Sequence, residues 1–286
     1  MNILSTPKWI APFNFGFKKY GDIPQEVFDR INNDLDKVLS GNPKVSILIS
    51  AWNEEVNIVR CIAALAKMQT KIPFEIIVIN NNSTDHTQDV LDRLHVRNVF
   101  QGIQGWGPAR QIGQENAKGE YILLADADCF YPPTWVDAMI DVLKKPGIVC
   151  IYGRYSFIPE PGFPRWKLFL LEKMKDVIAE VRQIKRPYLN AYGINMGYVK
   201  EYGLKIGFVM KMIRGDEGRL AFDMMSYGKI KQVRSDKART WTGPRTLEKD
   251  GSFGKALSSR ILREIKRFGS MFTAKEPHDT KTSTND

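Results

Sequence analysis

The sequence predicts an α/β fold: a mostly parallel central sheet with helices on both faces, a helix ahead of the first strand and a helical extension at the carboxyl end. Three observations carry this. From residue 44 onward, short apolar β-rich runs alternate with stretches of helical periodicity. The runs are near-continuously apolar rather than alternating, as strands buried on both faces require. The 286 residues, 43% hydrophobic and 26% charged, suffice for one large domain with appendages.

The elements follow in order. In DIPQEVFDRINNDLDKVLS (22–40), Val27, Ile31, Leu35 and Val38 recur at helical intervals, which predicts an amphipathic helix. After Gly41-Asn42-Pro43, KVSILIS (44–50) is a strand, EEVNIVRCIAALAKM (54–68) a helix and FEIIVIN (74–80) a second strand. STDHTQDVLDRLH (83–95) reads as a helix and VRNVF (96–100) as a strand. A helix around PARQIGQENAKG, the strand YILLADA, a helix from Pro133 to Lys144 and the run GIVCIYGRYSF complete the alternation. The expected organisation is an N-terminal helical extension at 1–43, a core domain at 44–250, a basic amphipathic helix at 251–272 and a solvated tail at 273–286.

The balance of 42 Lys+Arg against 32 Asp+Glu, a formal charge of +10, favours anionic partners. No RNA-binding signature or interleaved basic and aromatic motif accompanies it, so nucleic acid is not the expected partner. Three cysteines without C-x-x-C spacing and three scattered histidines argue against a zinc site or a disulfide framework. Pro7, Lys8, Pro12 and Asn14 interrupt the amino terminus, and no window approaches the roughly 18 apolar residues of a spanning helix. A cytoplasmic protein, at most touching the inner face of a membrane, is expected.

In parallel sheets of this kind, ligands bind beyond the carboxyl ends of the strands. Polar clusters stand there: Trp52-Asn53-Glu54-Glu55 after the first strand, Asn80 to Asp85 after the second, and Asp126 and Asp128 after the fourth. The first strand is not followed by G-x-G-x-x-G, and there is no P-loop, so phosphates would not be held by a glycine cradle. Asp126 and Asp128 lie two apart, so in extended backbone their side chains leave the same face. Two hard oxygen ligands there suit Mg²⁺ or Mn²⁺ bridging a diphosphate. The competing reading makes one of them a cap for the helix that begins near Pro132-Pro133. NNNSTDHT, which includes Asn82 and Asp85, offers groups for a base or ribose, or simply a turn with Ser83 or Thr84 as an N-cap.

Taken in order, WNEE, NNNSTDHT, GPARQIGQENAKGEYILLADAD and RGDEGRLAFDMMSYGKI resemble the motifs of family 2 glycosyltransferases with the GT-A fold, over roughly residues 44 to 245. The resemblance implies transfer of a sugar from a nucleoside-diphosphate donor, UDP or GDP type, to a hydroxyl acceptor, saccharide or lipid-linked. It implies nucleotide contacts from Asn53, Glu54, Asn82 and Asp85. It places Arg110, as a residue binding the donor, and Gly113 where the family has a basic and a small residue, with Gln111 where an Asn is common. It makes Asp128 the closer metal ligand and Asp126 its companion. The family's catalytic base sits in E-D-x-x-L, which here reads D-E-G-R-L, so Glu217 is the first choice of base and Asp216 the second. The implied chemistry is an inverting displacement in which that carboxylate takes the acceptor proton and the metal stabilises the leaving diphosphate.

TWTGPRT (240–246) resembles the family's downstream Thr-Ser-x-Arg-Arg region, which makes Arg245 a candidate phosphate clamp. Tyr192 and Asn195 stand where the acceptor region begins, facing an acceptor or packing in the core. FGKALSSRILREIKRFGSMF (253–272) is either a membrane-surface helix or one packed on the domain. The rival readings are a non-catalytic nucleotide-sugar or polyanion binding protein on the same fold and a retaining transferase.

Overall fold

The computed structural model describes residues 5–210 and 215–245. The helix expected at 251–272 and the tail at 273–286 lie outside the described residues. Helix α1 (Gln25–Val38) buries Phe28, Ile31 and Leu35, a stripe at helical spacing that closes one side of the core. Ahead of it, Phe13, Phe15, Phe17 and Tyr20 pack against the same core, so the amino-terminal aromatics are part of the domain's own packing.

Strand β1 (Val45–Ala51) is followed by α2 (Asn57–Leu65), β2 (Phe74–Asn80), α3 (Thr87–Asp92), β3 (Arg97–Phe100), α4 (Trp106–Asn116) and β4 (Tyr121–Asp126). Then come β5 (Cys129–Phe130), α5 (Trp135–Leu143), β6 (Ile148–Tyr152), β7 (Tyr155–Phe157) and α6 (Arg165–Lys185). The remainder is β8 (Met196–Val199), α7 (Lys200–Ile206), α8 (Asp216–Met224), β9 (Lys229–Gln232) and β10 (Thr240–Thr242).

Seven strands form one sheet in the order β3-β2-β1-β4-β8-β6-β9, parallel except where β8 runs against β4 and β6. Its two faces bury separate apolar clusters, one under α1, α2 and α5 and one under α4 and α8. The expected α/β architecture with a mostly parallel sheet is therefore what the chain adopts. At the amino ends of the strands, buried Glu75 accepts from Ser46 Oγ at 2.7 Å and Lys118 N–H at 2.7 Å, and pairs with Arg97. A buried carboxylate so satisfied pins that end of the sheet.

Two expectations are corrected in detail. The helix expected over 83–95 is only Thr87–Asp92, because Asp85 Oδ1 accepts the Thr87 N–H at 2.9 Å and folds the preceding residues into a turn. GIVCIYGRYSF is two strands in different sheets. At Gly153 the backbone lies so close to the Asn195 amide that a Cβ would stand 2.2 Å from Nδ2, and there the chain leaves the large sheet. A small second sheet, β5-β10-β7, pairs Thr242 with Cys129 and so returns the chain to the end of β4.

Candidate functional site

The carboxyl ends of β1 and β4 are paired side by side, with Ser50 opposite Asp126. This register sets the loop that carries Asn53 and Glu54 beside Asp126 and Asp128. Asn53 and Asn82 both adopt positive φ, 54° and 58°, a conformation that asparagine tolerates better than most residues. The two loops are laced together. Asn53 N–H donates to Ser83 Oγ at 3.0 Å, and Asn53 Oδ1 accepts from Thr84 N–H at 2.8 Å. Asp85 Oδ2 accepts from Glu55 N–H at 3.3 Å, so both of its oxygens are engaged within the loop pair.

Neither Asp126 nor Asp128 caps α5, whose N-cap is Thr134 with no side-chain cap. The capping alternative therefore falls away. Ligand atoms of Asp126, Asp128 and Cys129 lie within 4.8 Å of one another. Burial pushes the Cys129 thiol well above its usual range, and the thiol donates to Asp128 Oδ1 at 3.3 Å. A protonated thiol is no ligand for a hard cation, which leaves the two aspartates as the oxygen donors. Burial raises the pKa of Asp126 to about 7 against the pull of Arg110, and Asp128, Glu217 and Glu54 add to the rise. A buried aspartate whose ionisation its acidic neighbours oppose suits Mg²⁺ or Mn²⁺, whose charge would offset that repulsion.

Across from these aspartates stands Glu217 at the start of α8. Its Oε1 lies 2.9 Å from Arg110 Nη2 and accepts the Gly193 N–H at 3.2 Å, while Oε2 has no partner among the described residues. Arg110 is buried on α4, and Gly193 must lack a side chain because a Cβ there would sit 2.1 Å from Arg110 Nη2. Asp216 points the other way, into the protein. Its Oδ1 accepts from Val209 N–H at 3.3 Å and faces Arg219 Nε at 3.4 Å, Oδ2 has no hydrogen-bond partner among the described residues, and burial raises its pKa.

Arg245 lies three residues beyond β10, brought to the site by the Thr242 to Cys129 pairing. Its Nη2 bridges Glu54 Oε1 at 2.7 Å and Asp128 Oδ2 at 2.6 Å. Glu54 is buried, which raises its pKa, and its second oxygen accepts from Asn57 Nδ2 at 2.7 Å. The structure thus gathers Glu54, Asp126, Asp128, Arg110, Glu217 and Arg245 at one place. Asn82 and Asp85 stand on the adjoining loop.

Asn195 is a packing residue: Oδ1 accepts from Trp135 Nε1 at 2.9 Å and Nδ2 donates to the carbonyls of Arg154 and Ala238. Tyr192 remains exposed beside Gly193. Sequence reasoning missed Gly193, and the only signal was a glycine between Tyr192 and a buried strand.

The model of the family described as Glycosyl transferase family 2 matches residues 46–202. The chain is 27% identical over 149 residues to Glycosyltransferase AglE of Haloferax volcanii, covering 48% of this chain and 49% of that protein. It thus spans about half the length of that relative. Among solved structures, TarS of S. aureus (residues 1–349) in complex with UDP superposes with a TM-score of 0.54 at 19% identity, over 70% of this chain and 60% of that one. The mannosyltransferase PcManGT of Pyrobaculum calidifontis, in complex with GDP-Man and Mn²⁺, superposes with a TM-score of 0.52 at 15% identity, over 89% of this chain and 75% of that one. At such identities the structural likeness establishes the shared fold.

Proposed function

The chain belongs to glycosyl transferase family 2, and from that premise we propose that it moves a sugar from a UDP- or GDP-linked donor to a hydroxyl acceptor with inversion at the anomeric carbon. The observation that carries the reading is the opposition of Glu217, held outward by Arg110 and Gly193, to the Asp126 and Asp128 pair at the end of β4. Mn²⁺ accompanies the donor in the PcManGT complex, and UDP the TarS one.

In this mechanism Asp128 and Asp126 would hold a divalent ion, which when bound supplies positive charge to the leaving diphosphate. Glu54, Asn53, Asn82 and Asp85 line the nucleotide side. Glu217 accepts the proton of the acceptor hydroxyl on Oε2 as that oxygen attacks the anomeric carbon. Arg110 fixes the direction of the carboxylate, and the Gly193 N–H adds a second restraint. Asp216, turned inward, positions the start of α8 from behind. Arg245 exchanges its carboxylate partners for the donor phosphates.

The test is Glu217→Gln. Donor affinity stays within about threefold and transfer falls by at least about 10³-fold, while NMR of the wild-type product shows inverted anomeric configuration. Transfer surviving in Glu217→Gln, or a retained configuration, contradicts the proposal.

A further inference from the structure

Helix α6 is the longest of the described helices and the one whose outer face runs against the usual pattern. Trp166, Leu170, Val177, Val181 and Ile184 are 49%, 58%, 63%, 39% and 80% exposed. At the helical repeat these five and Lys173 fall within an arc of roughly 80°, a ridge about 27 Å long. Solvent-facing helix surfaces are ordinarily polar, and a continuous apolar ridge marks a contact surface.

The charges of α6 say what that contact is. All three of its acids are engaged by arginines. Glu172 takes Arg165 through two bonds, 2.9 and 2.8 Å, Asp176 meets Arg239 at 2.6 Å, and Glu180 meets Arg154 at 2.6 Å and Arg234 at 2.7 Å. Lysines lie in the ridge and along its far rim. Lys173 is exposed within the ridge, its ammonium 5.2 Å from the Phe169 ring, while Lys167 and Lys185 share the rim opposite the acids.

We propose that α6 seats this chain on an anionic lipid surface, with the ridge in the headgroup boundary and Lys173 against lipid phosphates. An apolar face with a cationic flank is what such a surface binds. Lysine stems lie along apolar groups while the ammonium reaches outward, as Lys173 requires. Pairing with a second copy through the same ridge would bury Lys173 without an acid to meet it, since the acids of α6 are held by arginines. The inference concerns a surface apart from the carboxylate cluster and does not depend on the catalytic reading.

The test is flotation of the full chain with phosphatidylcholine vesicles, with and without phosphatidylglycerol. The wild type floats with the anionic vesicles, less so in high salt, and stays behind with phosphatidylcholine alone. Leu170→Glu, Val177→Glu and Ile184→Glu together lower the floated fraction by about tenfold or more while leaving the melting temperature unchanged. Lys173→Glu alone, a milder change, lowers it in the same direction. Absence of flotation in the wild type overturns the proposal. So does a triple variant that floats as well as the wild type, or a wild-type dimer that the triple variant dissociates.

Discussion

Arg110 Nη2 and Glu217 Oε1 stand 2.9 Å apart, and the bare α-carbon of Gly193 is wedged against both, where an added Cβ would come 3.0 Å from the Glu217 oxygen and 2.1 Å from the guanidinium. The pair joins α4 to α8 across the site. Because Arg110 is buried, it has little room to yield, so the direction of the Glu217 carboxylate depends on a residue with no side chain.

Gly193→Ala tests that dependence. Displacing the guanidinium misdirects the carboxylate, and kcat falls about a hundredfold, the scale expected for a misplacement of about 1 Å. The strain lowers stability by about 1–3 kcal/mol, so the variant still folds. Steady-state kinetics beside a thermal melt checks both, and an unchanged kcat in a folded variant would show that the pair does not orient the base.

Asp126 gives a pH signature in the chain freed of metal by EDTA. Its folded pKa, raised to about 7 from 3.8, means the folded state holds the proton more tightly than the unfolded one. The stabilisation is complete below about pH 4 and is lost as pH rises through about 7. Asp126's contribution to wild-type stability therefore declines over that window, and Asp126→Asn removes that share of the pH dependence. Urea melts of both proteins at pH 5 and pH 8 decide it, and equal slopes would contradict the assignment.

Arg245 holds in the ligand-free chain the place between Glu54 and Asp128 where a divalent ion has to compete. Removing this internal cation with Arg245→Ala tightens Mn²⁺ binding in the absence of donor by about tenfold, because two carboxylates lose their counter-charge. In the proposed mechanism the guanidinium also takes the donor phosphates, so the same change weakens donor binding. Manganese titration followed by paramagnetic resonance reads the first effect, and weaker Mn²⁺ binding in the variant would refute it.

Much of this was legible because the relevant signals are local. KVSILIS, FEIIVIN and YILLADA are apolar runs too short for helices, and each ends in the polar cluster that the sheet then gathers at one edge. Asp126 ends β4 as the apolar run predicts, but Asp128 lies in the turn that follows, so their nearness comes from that turn and not from the extended backbone expected of strand periodicity. What stayed hidden depends on pairing between distant segments. That Arg245 reaches Asp128 follows from β10 pairing with β5, two- and three-residue strands without a distinctive pattern. The break at Gly153 is set by the Asn195 amide, which periodicity within GIVCIYGRYSF does not reveal. The outward ridge of α6 was equally silent, since apolar residues at helical spacing predict a buried face until the packing shows which face is covered.

The most direct measurement of the central claim is titration calorimetry with UDP and with GDP, in Mn²⁺ and in EDTA, on the wild type and on Asp128→Ala. The account predicts that one nucleotide binds only when the metal is present and that Asp128→Ala abolishes this binding. Binding of neither nucleotide under either condition, or binding that Asp128→Ala leaves intact, would contradict it.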